Sequence, residues 1–210
     1  MKKEFTLEYF IAHKGCYHES DVPALYPSGK NSVTIVELIE HPGMTIGDKL
    51  WFLIRSSELT NKQKHELVLE VAEYVVSIFE QAYPKYNSPR EAISLAKQYI
   101  AGNIDIELLK ERKNATAILS AIAVDEFKRA KKPVYVANAV LSVNSALAAV
   151  DSGQIEPVHE AEYINNACVD SVQKATAAID AQDISKNINT GRKEFSDLMI
   201  TFLKDFVEKN

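Results

Sequence analysis

Glycine is scarce in this chain: seven residues in 210, about half the usual frequency of ~7%. Hairpin turns need glycine where φ is positive, and phosphate-cradling loops need it where backbone approaches a ligand. A β-rich fold and a glycine-rich nucleotide loop are therefore not expected. Cysteine is scarcer still, with Cys16 and Cys168 lying 152 positions apart. That is no disulfide framework and points to a reducing, cytoplasmic setting. C-x-x-C, Walker and G-x-S-x-G motifs are absent. No stretch approaches 18 uninterrupted apolar residues, and the opening MKKEFTLEYF has no apolar core of a signal peptide, so no membrane association is expected. Neither sign of charge dominates: 24 basic residues stand against 29 acidic ones. Without a concentrated basic face to displace counterions, nucleic acid is not an expected partner.

What the chain does have is helical periodicity, nearly from end to end. In RKEFSDLMITFLKDFVEKN, Phe195, Leu198, Met199, Phe202, Leu203 and Phe206 recur at spacings of three and four with charges opposite, an amphipathic helix docked on a core. Earlier helices are predicted over 60–84 (stopped by Pro84), 88–102, 105–130, 134–150 and about 157–181. In SPREAISLAKQYIAGN, Ser88 reads as the N-cap, Pro89 as the first turn, Glu91 as the capping-box partner and Gly102 as the terminator. Asp105 reads as the N-cap of the next helix. Before residue 60 the elements are shorter: TLEYFIAHKG, VTIVELIEHPG and TIGDKLWFLIRS.

The expected fold is all-α, a multi-helix antiparallel bundle over 60–210 with a short-helix region over 1–59 packed on it. Alanine and serine on the apolar faces of 115–130, 134–150 and 161–181 imply close helix axes, toward the lower end of the usual ~8–10 Å.

Candidate chemistry is sparse. HKGCYHESD gathers His13, Cys16 and His18, but a tetrahedral metal site needs a fourth ligand, and His41, His65 and His159 are scattered. A helix-terminating turn at Gly15 is the expected reading. His159-Glu160-Ala161-Glu162 begins like a zincin motif, but position 163 is Tyr rather than the second histidine. Two E-x-x-E pairs, Glu37 with Glu40 and Glu70 with Glu73, put carboxylates on one helix face. All-α nucleotide pyrophosphohydrolases hold magnesium with such pairs, so a metal-dependent nucleotide hydrolase is the alternative reading. Solvated helix faces are the expected one. No catalytic residue, metal or cofactor is assigned.

The most informative charge feature lies between Asp151 and Asp183, where seven acidic residues face one base, Lys174. A net −6 there, against −5 for the whole chain, reads either as a solvated acidic helix face or as a surface complementary to a basic protein partner. Asp151, Glu156, Glu160 and Glu162, with His159 and Tyr163 as hydrogen-bonding and aromatic anchors, form the expected docking surface. Trp51-Phe52 and the Phe-rich last helix are expected burial or self-association surfaces.

Ser88-Pro89-Arg90-Glu91-Ala92-Ile93, then Ala96, Tyr99 and Gly102, followed by the alanine-rich helices to about residue 180, resemble the immunity-protein family found beside bacterial polymorphic toxins. The short helix before Cys16 and the run Asp48-Lys49-Leu50-Trp51 resemble segments of uncharacterised phage proteins. The resemblance implies an all-α, non-catalytic protein that neutralises or regulates a protein partner by occlusion, as in toxin immunity or phage counter-defence. It carries over no catalytic residue. Arg90 sits in a first helical turn, where it opposes the helix dipole, and is expected to have an ion-pair partner on a neighbouring helix.

Overall fold

A computed structural model of the chain describes residues 4–12, 30, 32–55, 59–152, 157–188 and 190–209. Among the described residues the fold is all-α apart from two three-residue strands. Contacts divide the chain into two compact units, Met1–Leu59 with Lys193–Asn210, and Thr60–Arg192. The sequence reading ran the bundle on to residue 210, whereas the contacts place the last helix from Lys193 onward with the amino-terminal residues.

In the first unit, β1 (Glu4–Thr6) leads into α1 (Leu7–Ala12), and β2 (Ser32–Thr34) leads into α2 (Ile35–Glu40). The strands pair antiparallel with Phe5 opposite Val33. Thr34 ends β2 and caps α2, accepting from the Glu37 N–H while Glu37 returns to the Thr34 N–H at 2.9 Å. α3 (Ile46–Arg55) follows. Phe5 meets Phe52 edge-on at 5.2 Å, and both are buried. Lys49 is also buried, donating to the Ile39 carbonyl at 2.7 Å, and burial lowers its pKa. α9 (Thr190–Lys209) starts in the second unit and supplies Phe195, Met199, Leu203 and Phe206 to the first unit's core. Leu198 of the expected stripe is exposed. Phe52 and the buried side of this helix are thus taken up in the core, while Trp51 and Phe202 are half-buried.

The second unit holds α4 (Asn61–Ala82), α5 (Ser88–Ile100), α6 (Ile106–Lys128), α7 (Val134–Val150) and α8 (Pro157–Lys186). Thr60 and Gln63 form a capping box on α4. The box expected at Ser88 does not form. The cap is Asn87, whose Nδ2 donates to Glu91 Oε1 at 2.6 Å, and Glu91 also meets Arg112 at 3.4 Å. Asp105 stands at the cap of α6 without a side-chain cap bond. Gly102 ends α5 as expected, at φ +77°. The Gly102 and Asn103 N–H groups return to Tyr99 and Gln98 at 2.9 Å, which satisfies carbonyls a helix end leaves open.

α7 carries no charged residue and packs against α4, α5, α6 and α8. A helix apolar nearly all round belongs inside. Ala139, Ala146 and Ala149 are fully buried and let its neighbours come close. Against α8 the approach is close enough for reciprocal side-chain bonds. Ser142 Oγ donates to the Ser171 carbonyl at 2.9 Å and Ser171 Oγ to the Ser142 carbonyl at 3.0 Å, with the two hydroxyls 3.2 Å apart.

Removing one hydroxyl and forcing the helices apart should have different effects. Ser142→Ala leaves the Ser171 bond in place and is expected to cost about 1 kcal/mol. Ser142→Leu overfills the contact and is expected to cost roughly 3 kcal/mol. Urea denaturation of both variants checks this, and equal costs would mean the close approach is not what the serines serve.

Candidate functional site

One end of the second unit holds a group of buried and part-buried polar side chains. There the first turns of α4, α6 and α8 meet the last turns of α5 and α7. Lys64, almost wholly buried, donates to Asn165 Oδ1 at 2.6 Å and so ties α4 to α8. Lys113 of α6 meets Asp151, just past α7, at 2.6 Å. Lys97 of α5 meets Glu70 of α4 at 2.6 Å and also bonds Glu73. An open groove of about 210 Å³ lies between Lys62, Glu66 and Leu69 of α4 and Lys97 and Ile100 of α5.

The expected docking residues separate here. Asp151 is not a free carboxylate, since its side chain is 10% exposed and held by Lys113. Glu156 lies outside the described residues. His159, Glu162 and Tyr163 are exposed on the first turns of α8, and Glu160 is half-exposed. The wider acidic segment is largely used internally. Asp170 accepts from Ser145 Oγ at 2.5 Å, and Asp180 pairs with Arg192 at 2.6 Å. Asp183 is buried and accepts from the Gly191 and Arg192 N–H groups at 3.2 and 2.9 Å, capping the start of α9. Among the described residues, Glu160 and Glu162 are the acidic side chains of this segment without a partner. A net charge cannot show this; it counts a carboxylate that caps a helix the same as one facing water.

Each glutamate pair also has a cation. Glu37 bonds Lys30, and that bond together with the Thr34 N–H pushes its carboxyl down to about 2. Glu40 meets Lys204 at 2.5 Å. Lys97 sits between Glu70 and Glu73. Burial works against its ammonium, but the bonds to Glu70 and Glu73 outweigh that and raise its pKa. Among the described residues, no three His, Cys, Asp or Glu side chains converge as metal ligands. His13, Cys16 and His18 lie outside the described residues. Arg90 finds the expected ion pair on the preceding helix, with Nε and Nη2 each 2.6 Å from Glu80, and the pair is exposed rather than buried.

Sequence reasoning missed His65. Its Nε2 is buried without a hydrogen-bond partner, and its other nitrogen bonds the backbone of Ala149 at the end of α7. A histidine on the outward side of a charged first turn gives no sign that a neighbouring helix end will cover it.

No family model, curated protein or solved structure matches the chain. Function is therefore argued from these side chains.

Two outcomes follow from this electrostatics. With Lys97 already bonded to both Glu70 and Glu73, millimolar magnesium should leave the melting temperature unchanged; a rise abolished by Glu70→Gln would show that the carboxylates take metal after all. Burial pushes the His65 pKa down to about 4, while the unfolded chain keeps about 6.5. Between those values the unfolded state binds a proton that the fold refuses, so stability falls as pH falls, by about 3 kcal/mol below pH ~4. Urea midpoints at pH 7 and 5 should differ in the native chain and converge in His65→Gln. An unchanged slope in the variant would place the acid sensitivity elsewhere.

Proposed function

We propose that the chain is a non-catalytic helical binding protein that neutralises or regulates a protein partner with a basic surface, in the manner of toxin immunity or phage counter-defence. The observation that carries this reading is the contrast within the acidic segment. Asp151, Asp170, Asp180 and Asp183 are engaged inside the fold, while Glu160 and Glu162 remain unpaired beside exposed His159 and Tyr163. Unpaired carboxylates steer a basic partner to the surface, and an aromatic beside them supplies contact area. Their place at a helix N-terminus also suits acidic side chains for local reasons, so partner binding and helix stability pull the same way.

The likeness of Ser88–Gly102 and the following alanine-rich helices to immunity proteins points to the same role. A cytoplasmic location is part of the proposal. It is supported by the buried free thiol of Cys168, which burial pushes up to about 12, and by the lack of any helix long and apolar enough to cross a membrane among the described residues. No observation favours the hydrolase alternative, because both glutamate pairs are ion-paired within the fold.

The test is a tagged pull-down from native-host lysate with mass spectrometry, comparing the native chain with Glu160→Lys/Glu162→Lys. A stoichiometric partner should be retained by the native chain, released as salt rises, and lost from the variant while circular dichroism stays unchanged. Retention of the same protein by both would remove this surface.

A further inference from the structure

α6 is built inside out. Its inner face carries Leu109, Thr116, Leu119, Ser120 and Ala123, mostly small or polar. Ile118 and Ile122 point outward at 63% and 41% exposure, with exposed Ala121 between them. From Asn114 to Val124 the helix has no charge for three turns, on the outside of a protein that is 25% charged. Ala115, Ile118 and Ile122 lie at helical spacing on one line, and Ala121 flanks them. A helix that is apolar on both faces is ordinarily buried on both, and α6 is covered on one.

The charges that flank this stripe say what covers the other face. On the same line, one end carries Glu107 and Glu111, and the other carries Asp125 and Arg129. Glu111 is exposed and has no partner among the described residues. Among the described residues Arg129 is paired with Asp125, at 3.1 Å, and both side chains are more than half exposed. Two pairs of residues on this line that are equidistant from the level of Ser120 are chemically matched, Ile118 with Ile122 and Glu111 with Arg129, while Ala115 falls opposite Asp125. Such a line is complementary to itself when reversed.

We propose that this face of α6 is an interface between two copies of the chain, the two helices lying antiparallel about a two-fold axis level with Ser120. Ile118 of one copy packs against Ile122 of the other, and the arrangement repeats by symmetry. Glu111 of each copy meets Arg129 of its partner, so the two ends carry equivalent ion pairs. The contact runs about 27 Å from Glu111 to Arg129. A single helix face covers less than the ~800 Å² per partner of a standard interface, so the dimer is reversible and depends on protein concentration. The surface is distinct from His159–Tyr163 and does not depend on the partner proposed above.

Sedimentation equilibrium of the full chain from roughly 1 to 500 μM should show monomer passing to dimer. Ile118→Glu should remain monomeric throughout, with circular dichroism and melting temperature close to native because the position is exposed. Glu111→Arg and Arg129→Glu should each weaken self-association about tenfold or more, since each places like charges at both ends. Mixed in equal amounts, those two variants should recover near-native association, because every contact between unlike variants is again opposite in sign. A native chain that stays monomeric at all concentrations overturns the proposal. So does association that ignores Ile118→Glu. Failure of the mixture to recover would overturn the antiparallel two-fold register.

Discussion

The second unit depends on one uncharged helix being reached closely from several sides. α7 has no Asp, Glu, Lys, Arg or His side chain and is packed by α4, α5, α6 and α8. Half of its buried residues are Ala or Ser and the rest Val and Leu, so the usual stabilisation from bulky core side chains is reduced. Close approach takes its place, with many van der Waals contacts along short interaxial distances. The reciprocal Ser142–Ser171 bonds fit only at such distances. They also satisfy hydroxyls that would be costly to bury unpaired. The helix ends around α7 are fixed in consequence: Lys113 reaches Asp151 and His65 is covered by Ala149 because α7 ends where it does.

The same economy governs charge. A thin core cannot absorb unpaired ions, and the carboxylates near it are paired, hydrogen-bonded or used as caps. Asp183 is the clearest case, a buried carboxylate held by two backbone N–H groups. Lys97 and Lys113 do the equivalent for Glu70, Glu73 and Asp151. The half-exposed pairs of Lys97 contribute little stability individually. Their effect is to remove charge from the surface. Within the acidic segment, Glu160 and Glu162 are the ones left without a partner among the described residues, as Glu111 is on α6.

The sequence made the helices legible where residue type and conformation coincide. Gly102 announces its positive φ. Ala130 and Asn187 take the same left-handed conformation, at φ 54° and 52°, and return the same pattern of bonds. Alanine there advertises nothing. The strands were invisible because three residues are too few to display a period of two, and Val33-Thr34 runs directly into a helical pattern. The division of the chain was hidden for a different reason. An amphipathic stripe such as Phe195–Phe206 specifies that a helix is buried, not which core it enters. The candidate site was legible only as a charge total, since the partners of Asp151, Asp180 and Asp183 are set by tertiary contacts. His65 was hidden for the same reason.

α6 shows where periodicity itself misleads. Its apolar residues run round the helix, and the natural inference is a buried helix in the middle of a bundle. The middle is occupied by α7, whose neighbours must be small on the facing side to come close. That requirement selects Thr116, Ser120 and Ala123 for the inner face. It exerts no pressure on the outer face, where charged residues would be the default for solubility. Ile118 and Ile122 are therefore not explained by the bundle's packing. Their cost as exposed surface is offset only if something apolar covers them, and the opposite charges that bracket them are those of the helix itself run in reverse.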